Sequence, residues 1–252
     1  MTQHKVVLVT GAGSRRGIGR ATARRLAADG WQVAVVDLDR EAAAETAREI
    51  EKEFGVRAVG VGADVTDPES VEIAVAHVER ELPPLTGLAN IAGITSPTRF
   101  FDTSLEEWNR VMSVNATGTY LVTHRVARGM AERGYGRIVN MSSVSAIRGG
   151  GVFGGVPYSA AKAAILGFTR AVARELGPKG VTVNAIAPGV VSTDIRAGAT
   201  NDELEAQLAA DVPLGRQGTA DDIAALFAFL LSDDASYITG ATYDINGGSH
   251  IS

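Results

Sequence analysis

The chain has 252 residues, 24 Lys and Arg against 29 Asp and Glu for a formal charge of −5, 45% apolar residues, 29 glycines and no cysteine. The length suits one large domain with a substantial core. The missing cysteines exclude disulfides, thiol catalysis, Cys-ligated zinc and iron–sulfur clusters, and the acidic balance argues against a nucleic-acid partner.

The N-terminal stretch holds only four consecutive apolar residues, Val6, Val7, Leu8 and Val9. That is too few for a signal-peptide core or a membrane span, so a cytoplasmic protein with no membrane partner is expected. The four histidines, His4, His77, His124 and His250, are too scattered for a His-rich metal site, and no metal is expected. Short apolar runs at 6–9, 32–36, 58–62, 88–90, 137–141 and 182–187, with a seventh near 241–245, read as strands buried on both faces. Helix-period segments at 19–29, 40–54, 68–81, 105–132 and 158–176 alternate with them. This alternation predicts an α/β fold: a doubly wound seven-stranded parallel sheet with helices on both faces, in one domain. The least regular stretch, 190–218, has only a weak helix at 202–210 and reads as a substrate lid.

Strand one runs into Thr10-Gly11-Ala12-Gly13-Ser14-Arg15-Arg16-Gly17-Ile18-Gly19, directly before a helix. Glycines there allow a tight turn, let backbone N–H groups approach a pyrophosphate, and let the helix pack on the sheet. The spacing Gly13, Gly17, Gly19 fits that task, Gly11 is an alternative first glycine, and Ser14, Arg16 and Ile18 lie where the loop would contact a dinucleotide. Strand two ends in Asp37-Leu38-Asp39, about 20 residues on. A carboxylate at 37 accepts hydrogen bonds from ribose hydroxyls and repels a 2′-phosphate, which favours NAD over NADP. Arg16 pulls the other way, because a cation just before Gly17 could pair with that phosphate.

Tyr158-Ser159-Ala160-Ala161-Lys162 opens a helical segment. A spacing of four stacks both side chains on one face, and a nearby ammonium favours the phenolate of a Tyr whose free pKa is about 10. Upstream, Ile138-Val139-Asn140-Met141-Ser142-Ser143 is a strand ending in two hydroxyls, followed by a glycine-rich loop, 149–155. A Ser at such a strand end can donate to a substrate carbonyl, and Ser142, Ser143 and Ser145 are the candidates.

Taken with Asp64-Val65, Asn90-Ile91-Ala92-Gly93, Asn115, Pro188-Gly189 with Thr193, Thr239-Gly240 and Asn246-Gly247-Gly248, these motifs resemble the short-chain dehydrogenase/reductase family over essentially the whole chain. The resemblance implies a single-domain Rossmann fold and an NAD(P)-dependent oxidoreductase that interconverts a secondary alcohol and a ketone. It is nearest to 3-oxoacyl-carrier-protein reductases and polyol dehydrogenases. Tyr158 would be the acid for reduction and the base for oxidation, Lys162 would lower its pKa and bind the nicotinamide ribose, and Ser143 would polarise the substrate oxygen. Asn115 would position a water joining Lys162 to solvent. Asp64 and Val65 would flank the adenine, Asn90, Ala92 and Gly93 would line the riboses, and Pro188, Gly189, Val191 and Thr193 would bracket the carboxamide and pyrophosphate.

The chain departs from the family pattern in two extra residues between Gly11 and Gly17, in Ile91 for the second Asn, and in a longer interval from Ser143 to Tyr158. A dinucleotide-binding sensor or scaffold without turnover is the alternative from another class, although such a protein would not need the Tyr/Lys pair. An enoyl reductase would separate Tyr and Lys further. The resemblance also implies a homotetramer. Trp31 and Trp108 read as packing residues, while Phe153 and Tyr237 are candidates to border the substrate.

Overall fold

Most of the strands are runs of β-branched and small apolar side chains separated by helix-forming sequence, and all seven strands enter one parallel sheet. They are β1 (Val6–Thr10), β2 (Gln32–Asp37), β3 (Ala58–Gly62), β4 (Gly87–Asn90), β5 (Gly136–Met141), β6 (Val181–Pro188) and β7 (Thr242–Ile245). The spatial order is β3-β2-β1-β4-β5-β6-β7, as the doubly wound reading expects. This computed structural model describes residues 4–151, 153–196 and 201–251.

The helices are α1 (Ile18–Ala28), α2 (Arg40–Phe54), α3 (Pro68–Glu81), α4 (Leu105–Met112), α5 (Gly118–Arg133), α6 (Ser145–Arg148), α7 (Val156–Leu176), α8 (Asp202–Ala210) and α9 (Ala220–Leu231). Because side chains alternate along a strand, the sheet builds two cores. Val7 and Val9 join α1, α2 and α9 through Leu26, Ile50 and Phe227 on one face. Val6 and Leu8 join α3, α5 and α7 through Val75, Met130 and Ala173 on the other. Trp31 is buried in the first core, as its packing role requires. No helix among the described residues is long and apolar enough to cross a membrane.

The helix expected at 105–132 runs continuously in the structure, with one widened turn at its middle. Between α4 and α5 a wider π turn, Ser113–Thr117, puts an extra residue into the coil. Asn115 Nδ2 donates to the Val111 carbonyl at 2.9 Å, and Thr119 Oγ1 donates to the Asn115 carbonyl at 2.7 Å. Side chains thus take up backbone acceptors where the ladder widens. The sequence reading also passes over α9, although Thr219 and Asp222 form a capping box directly before its apolar run.

Strand order reverses between β1 and β4, which opens a crevice at the carboxyl ends of these strands. The excursion from 190 to 218 is pinned at its base by a bridge between Val191 and Gly218, with Ser192 N donating to Gly218 O and Gly218 N to Val190 O, each at 3.0 Å. Residues 197–200 of the expected lid lie outside the described residues.

Phe227 is the largest fully buried side chain and sits where α9 meets the sheet. Phe227→Ala should cost about 3–5 kcal/mol through lost burial and a residual cavity. Urea unfolding should show a lower midpoint at unchanged slope.

Candidate active site

The crevice opens into a cleft of about 670 Å³, within the roughly 300–1,000 Å³ common for small-ligand sites. Among the residues expected from sequence, Gly11, Ser14, Gly17, Ile18 and Gly19 line it, with Asp37, Leu38, Asp64 and Val65 at one end. Ala92, Gly93, Asn115, Ser143, Tyr158 and Lys162 line its centre together with Pro188, Gly189, Val191 and Thr193. Gly13, Arg16 and Asn90 do not line the cleft. Phe153 does, while Tyr237 lies fully exposed elsewhere.

In the glycine loop, Gly11 has φ +67°, and a Cβ there would stand 2.8 Å from the Ala92 Cα, so only glycine makes this turn beside β4. A Cβ at Gly19 would collide with the Gly11 carbonyl, which keeps α1 tight against the loop. The two extra residues are absorbed in a turn closed by Gly17 N–H to the Ser14 carbonyl at 3.1 Å. Helices α2, α3, α4 and α9 are capped by Asp39, Asp67, Ser104 and Thr219. By contrast α1 begins at Gly17 with no capping side chain and no acidic residue in its first turn. Its first amides face the cleft end of the loop, the arrangement that suits an anion.

Asp37 is positioned by this loop: its Oδ2 accepts from Gly13 N–H at 2.8 Å and its Oδ1 from Asp39 N–H at 3.1 Å. Gly11 therefore makes the turn, and Gly13 holds the carboxylate. Arg16 does not approach Asp37. Its Nε lies 3.7 Å from Asp194 Oδ1 and its Nη2 3.4 Å from Ser192 Oγ. Asp194 Oδ2 also accepts from Ser14 Oγ at 3.0 Å and from Arg16 N–H at 2.9 Å. Asp194 thus fastens the first residues after β6 to the glycine loop, a contact that no spacing in the sequence signals.

At the centre of the cleft, Lys162 is buried, with its Nζ donating to the Met141 carbonyl at 2.9 Å and lying 5.7 Å from the Tyr158 ring centre. Burial pushes the Lys162 ammonium down to about 7. Burial also raises the Tyr158 phenol above its ordinary value, opposed by the Ser143 hydroxyl. The lowered Tyr158 pKa expected from sequence is therefore absent in the protein without a dinucleotide. Desolvation outweighs the Ser143 hydrogen bond.

Asn115 is fully buried; its Nδ2 donates to the Ile94 and Val111 carbonyls, while its Oδ1 has no partner among the described residues. A Cβ at Gly93 would stand 2.6 Å from that Oδ1 and 3.3 Å from Lys162 Nζ. Gly93 keeps open a polar niche between the two, with room and partners for a water. Asn90 is turned away from the cleft: its Nδ2 donates to Thr123 Oγ1 and Asn140 Oδ1, each at 2.8 Å.

A further tie to the cleft loop was passed over by sequence reasoning. Glu107 accepts from Ser96 Oγ at 2.6 Å and Thr98 Oγ1 at 2.7 Å, bonds that hold its carboxyl below the usual range. Ser96 in turn bridges to Gly154, on the loop leading to Tyr158.

The family model described as enoyl-(acyl carrier protein) reductase matches residues 11–250. An uncharacterized short-chain type dehydrogenase/reductase of Sinorhizobium fredii is 43% identical over 249 residues, covering 97% of this chain and 96% of the relative. The chain belongs to the short-chain dehydrogenase/reductase family. A 3-oxoacyl-[acyl-carrier-protein] reductase of Aquifex aeolicus is 42% identical over 246 residues, covering 98% of this chain and 97% of the relative. An acetoacetyl-CoA reductase of Shinella zoogloeoides is 40% identical over 244 residues, covering 97% and 98%. As a short-chain dehydrogenase/reductase, the protein is an NAD(P)-dependent oxidoreductase acting on CH–OH and keto groups. Nothing supports a sensor without turnover. The uncapped α1, the glycine loop, the Asp37 carboxylate and the unpartnered Asn115 Oδ1 all fit a nicotinamide dinucleotide.

The depressed Lys162 has a consequence for stability. Below about pH 7 both folded and unfolded chains hold the proton, and the folded protein carries the full desolvation cost. Between about 7 and the ordinary value of 10.5 folding expels the proton, so this contribution to stability rises with pH. Lys162→Met should gain most over the wild type at or below pH 7, and the gain should shrink toward pH 10.5, read by urea unfolding of the dinucleotide-free protein.

Proposed function

We propose that this short-chain dehydrogenase/reductase reduces the keto group of a 3-oxoacyl compound, with NAD(H) as its preferred dinucleotide. The observation that carries the reading is the convergence of Ser143, Tyr158 and Lys162 on one cleft at the carboxyl end of β5. The names of the Aquifex and Shinella relatives support a 3-oxoacyl substrate. Phe153, Ile195 and Leu208 on the cleft wall suit an acyl body better than a polyol.

The dinucleotide, when bound, supplies the hydride. Gly11, Ser14, Gly17, Ile18 and Gly19 would hold its pyrophosphate and Asp37 its adenosine ribose, with Asp64 and Val65 beside the adenine. Lys162, Gly93, Pro188, Gly189, Val191 and Thr193 would hold the nicotinamide end. Tyr158 Oη gives its proton to the substrate oxygen while Ser143 Oγ donates a hydrogen bond to the same atom. Lys162 Nζ and a water held by Asn115 Oδ1 return a proton to the tyrosine. A phenol held above its ordinary pKa stays protonated at neutral pH, the state that reduction needs. Alcohol oxidation needs the phenolate and should accelerate as pH rises.

NAD is favoured because Asp37 keeps lone pairs for ribose hydroxyls and repels a 2′-phosphate, while Arg16 is directed to Asp194 and Ser192. The segment from 190 to 218 would act as the substrate lid. We infer a cytoplasmic homotetramer, supported by the open sheet edge at β7 and by Phe101, Leu105 and Tyr237 exposed around the surface. Light scattering should give four copies per particle.

Tyr158→Phe should leave NADH affinity unchanged and lower turnover about 10²–10⁴-fold; equal turnover in both proteins would refute the assignment. Fluorescence titration should show NADH binding more tightly than NADPH, and Asp37→Ala should shift that ratio toward NADPH about tenfold or more.

A further inference from the structure

Arg148 ends the short helix α6 and belongs to none of the assignments above. It is exposed, it lines the cleft, and among the described residues its guanidinium makes no hydrogen bond or ion pair. Many surface arginines are equally free, but the position of this one differs. Among the described residues lining the cleft, the cations are Lys162, which is buried and bonded to Met141, and Arg148. The carboxylates Asp37 and Asp194 are engaged with the glycine loop, and Asp64 with its own turn. Asp211, on the lid side of the cleft, forms no ion pair with Arg148.

The backbone around Arg148 is built to present its guanidinium. Gly149, Gly150 and Gly151 have φ of +79°, +100° and +153°, so the chain folds back at once beyond the helix. A Cβ at Gly151 would stand 3.2 Å from Arg148 Nη2, so the guanidinium lies on a bare stretch of backbone. The same loop continues to Gly154, where a Cβ would stand 3.0 Å from Tyr158 Cδ1. The loop that carries the cation therefore packs against the ring of the proton donor. Phe153 and Val144 supply apolar cleft surface beside it.

Resting on the reading of the cleft as a ketone reductase site, we propose that Arg148 is a substrate-anion site. The enzyme selects oxo compounds that carry a carboxylate or a phosphate at the end remote from the reacting carbon. A guanidinium accepts either anion through charge-assisted, bidentate hydrogen bonds.

The test is steady-state reduction of a series of oxo acids, with two to five carbons between keto and carboxylate, each beside its neutral methyl ester, and of acetoacetyl-coenzyme A beside the phosphate-free acetoacetyl thioester of N-acetylcysteamine. In the wild type at least one anionic substrate should exceed its neutral counterpart in kcat/KM by about tenfold or more. In Arg148→Gln that ratio should collapse toward one through KM, and Arg148→Lys should restore part of it. A preference confined to the coenzyme A thioester identifies phosphate as the anion, and one among the free acids identifies carboxylate. Wild-type enzyme that treats acids, esters and both thioesters alike overturns the proposal. So does an Arg148→Gln loss equal on charged and neutral substrates, the result expected if Arg148 served the loop or Asp211. In both cases ketone turnover that still depends on Tyr158 leaves the reductase reading standing. No turnover of any ketone by the wild type overturns both.

Discussion

The site depends on a reciprocal tie between β5 and α7. Lys162 reaches from the helix to the Met141 carbonyl at the strand end, while Ser142 Oγ, the next residue on the strand, donates back to the Lys162 carbonyl at 2.8 Å. An amine taken out of water is costly unless it is bonded, so the pair locks one register of helix against strand. That register leaves Ser143 one residue beyond the strand tie and Tyr158 one helical turn before the lysine, both on the cleft. The buried ammonium pulled toward neutrality is the cost of this lock. The same desolvation holds the tyrosine protonated, so one burial sets the resting protonation of both groups.

A second polar layer beneath the site supports the first. Asn90 on β4 bonds to Thr123 on α5 and to Asn140 on β5, and Asn140 Nδ2 donates to Thr169 on α7 at 3.0 Å. All four residues are buried, and the network joins two neighbouring strands to the two helices that pack on them. It therefore fixes where β4 ends, and so where Ala92 and Gly93 present their backbone to the cleft. Thr10 Oγ1 completes this support by accepting from the amides of Ile91 and Ala92. The asparagine expected to line a ribose acts instead one layer deeper, through the position of the chain that follows it.

The strands were legible because a parallel sheet covered on both faces writes itself as uninterrupted apolar runs, and the glycine loop because close backbone approach admits no side chain. Tyr158 with Lys162 was legible because helical spacing of four is a local property. What was not legible is set by contacts distant in the chain. The π turn at Asn115 has ordinary helix-forming sequence, and only the contact of its Nδ2 with Ile94 across the cleft floor shows why the coil widens there. The direction of Arg16 depends on Asp194, 178 residues away. Glu107 acts through Ser96 and Thr98, which lie in a loop that carries no periodic signal. The capping box before α9 is a different case, a local signal that was present and passed over.

Two halves of the cleft meet in the segment after β6. Pro188 ends a strand buried along its whole length, and Val144 N–H donates to its carbonyl at 2.9 Å, joining this segment to the loop that carries Ser143 and Arg148. Six residues later Asp194 binds the glycine loop at Ser14 and Arg16. Between them the bridge of Val191 to Gly218 closes the base of an excursion whose Leu208, Asp211 and Val212 line the cleft. A short, well-tethered stretch thus touches the glycine loop, the loop after β5 and the base of the excursion. The placement of the glycine loop relative to the loop after β5 therefore rests on contacts within residues 188–196.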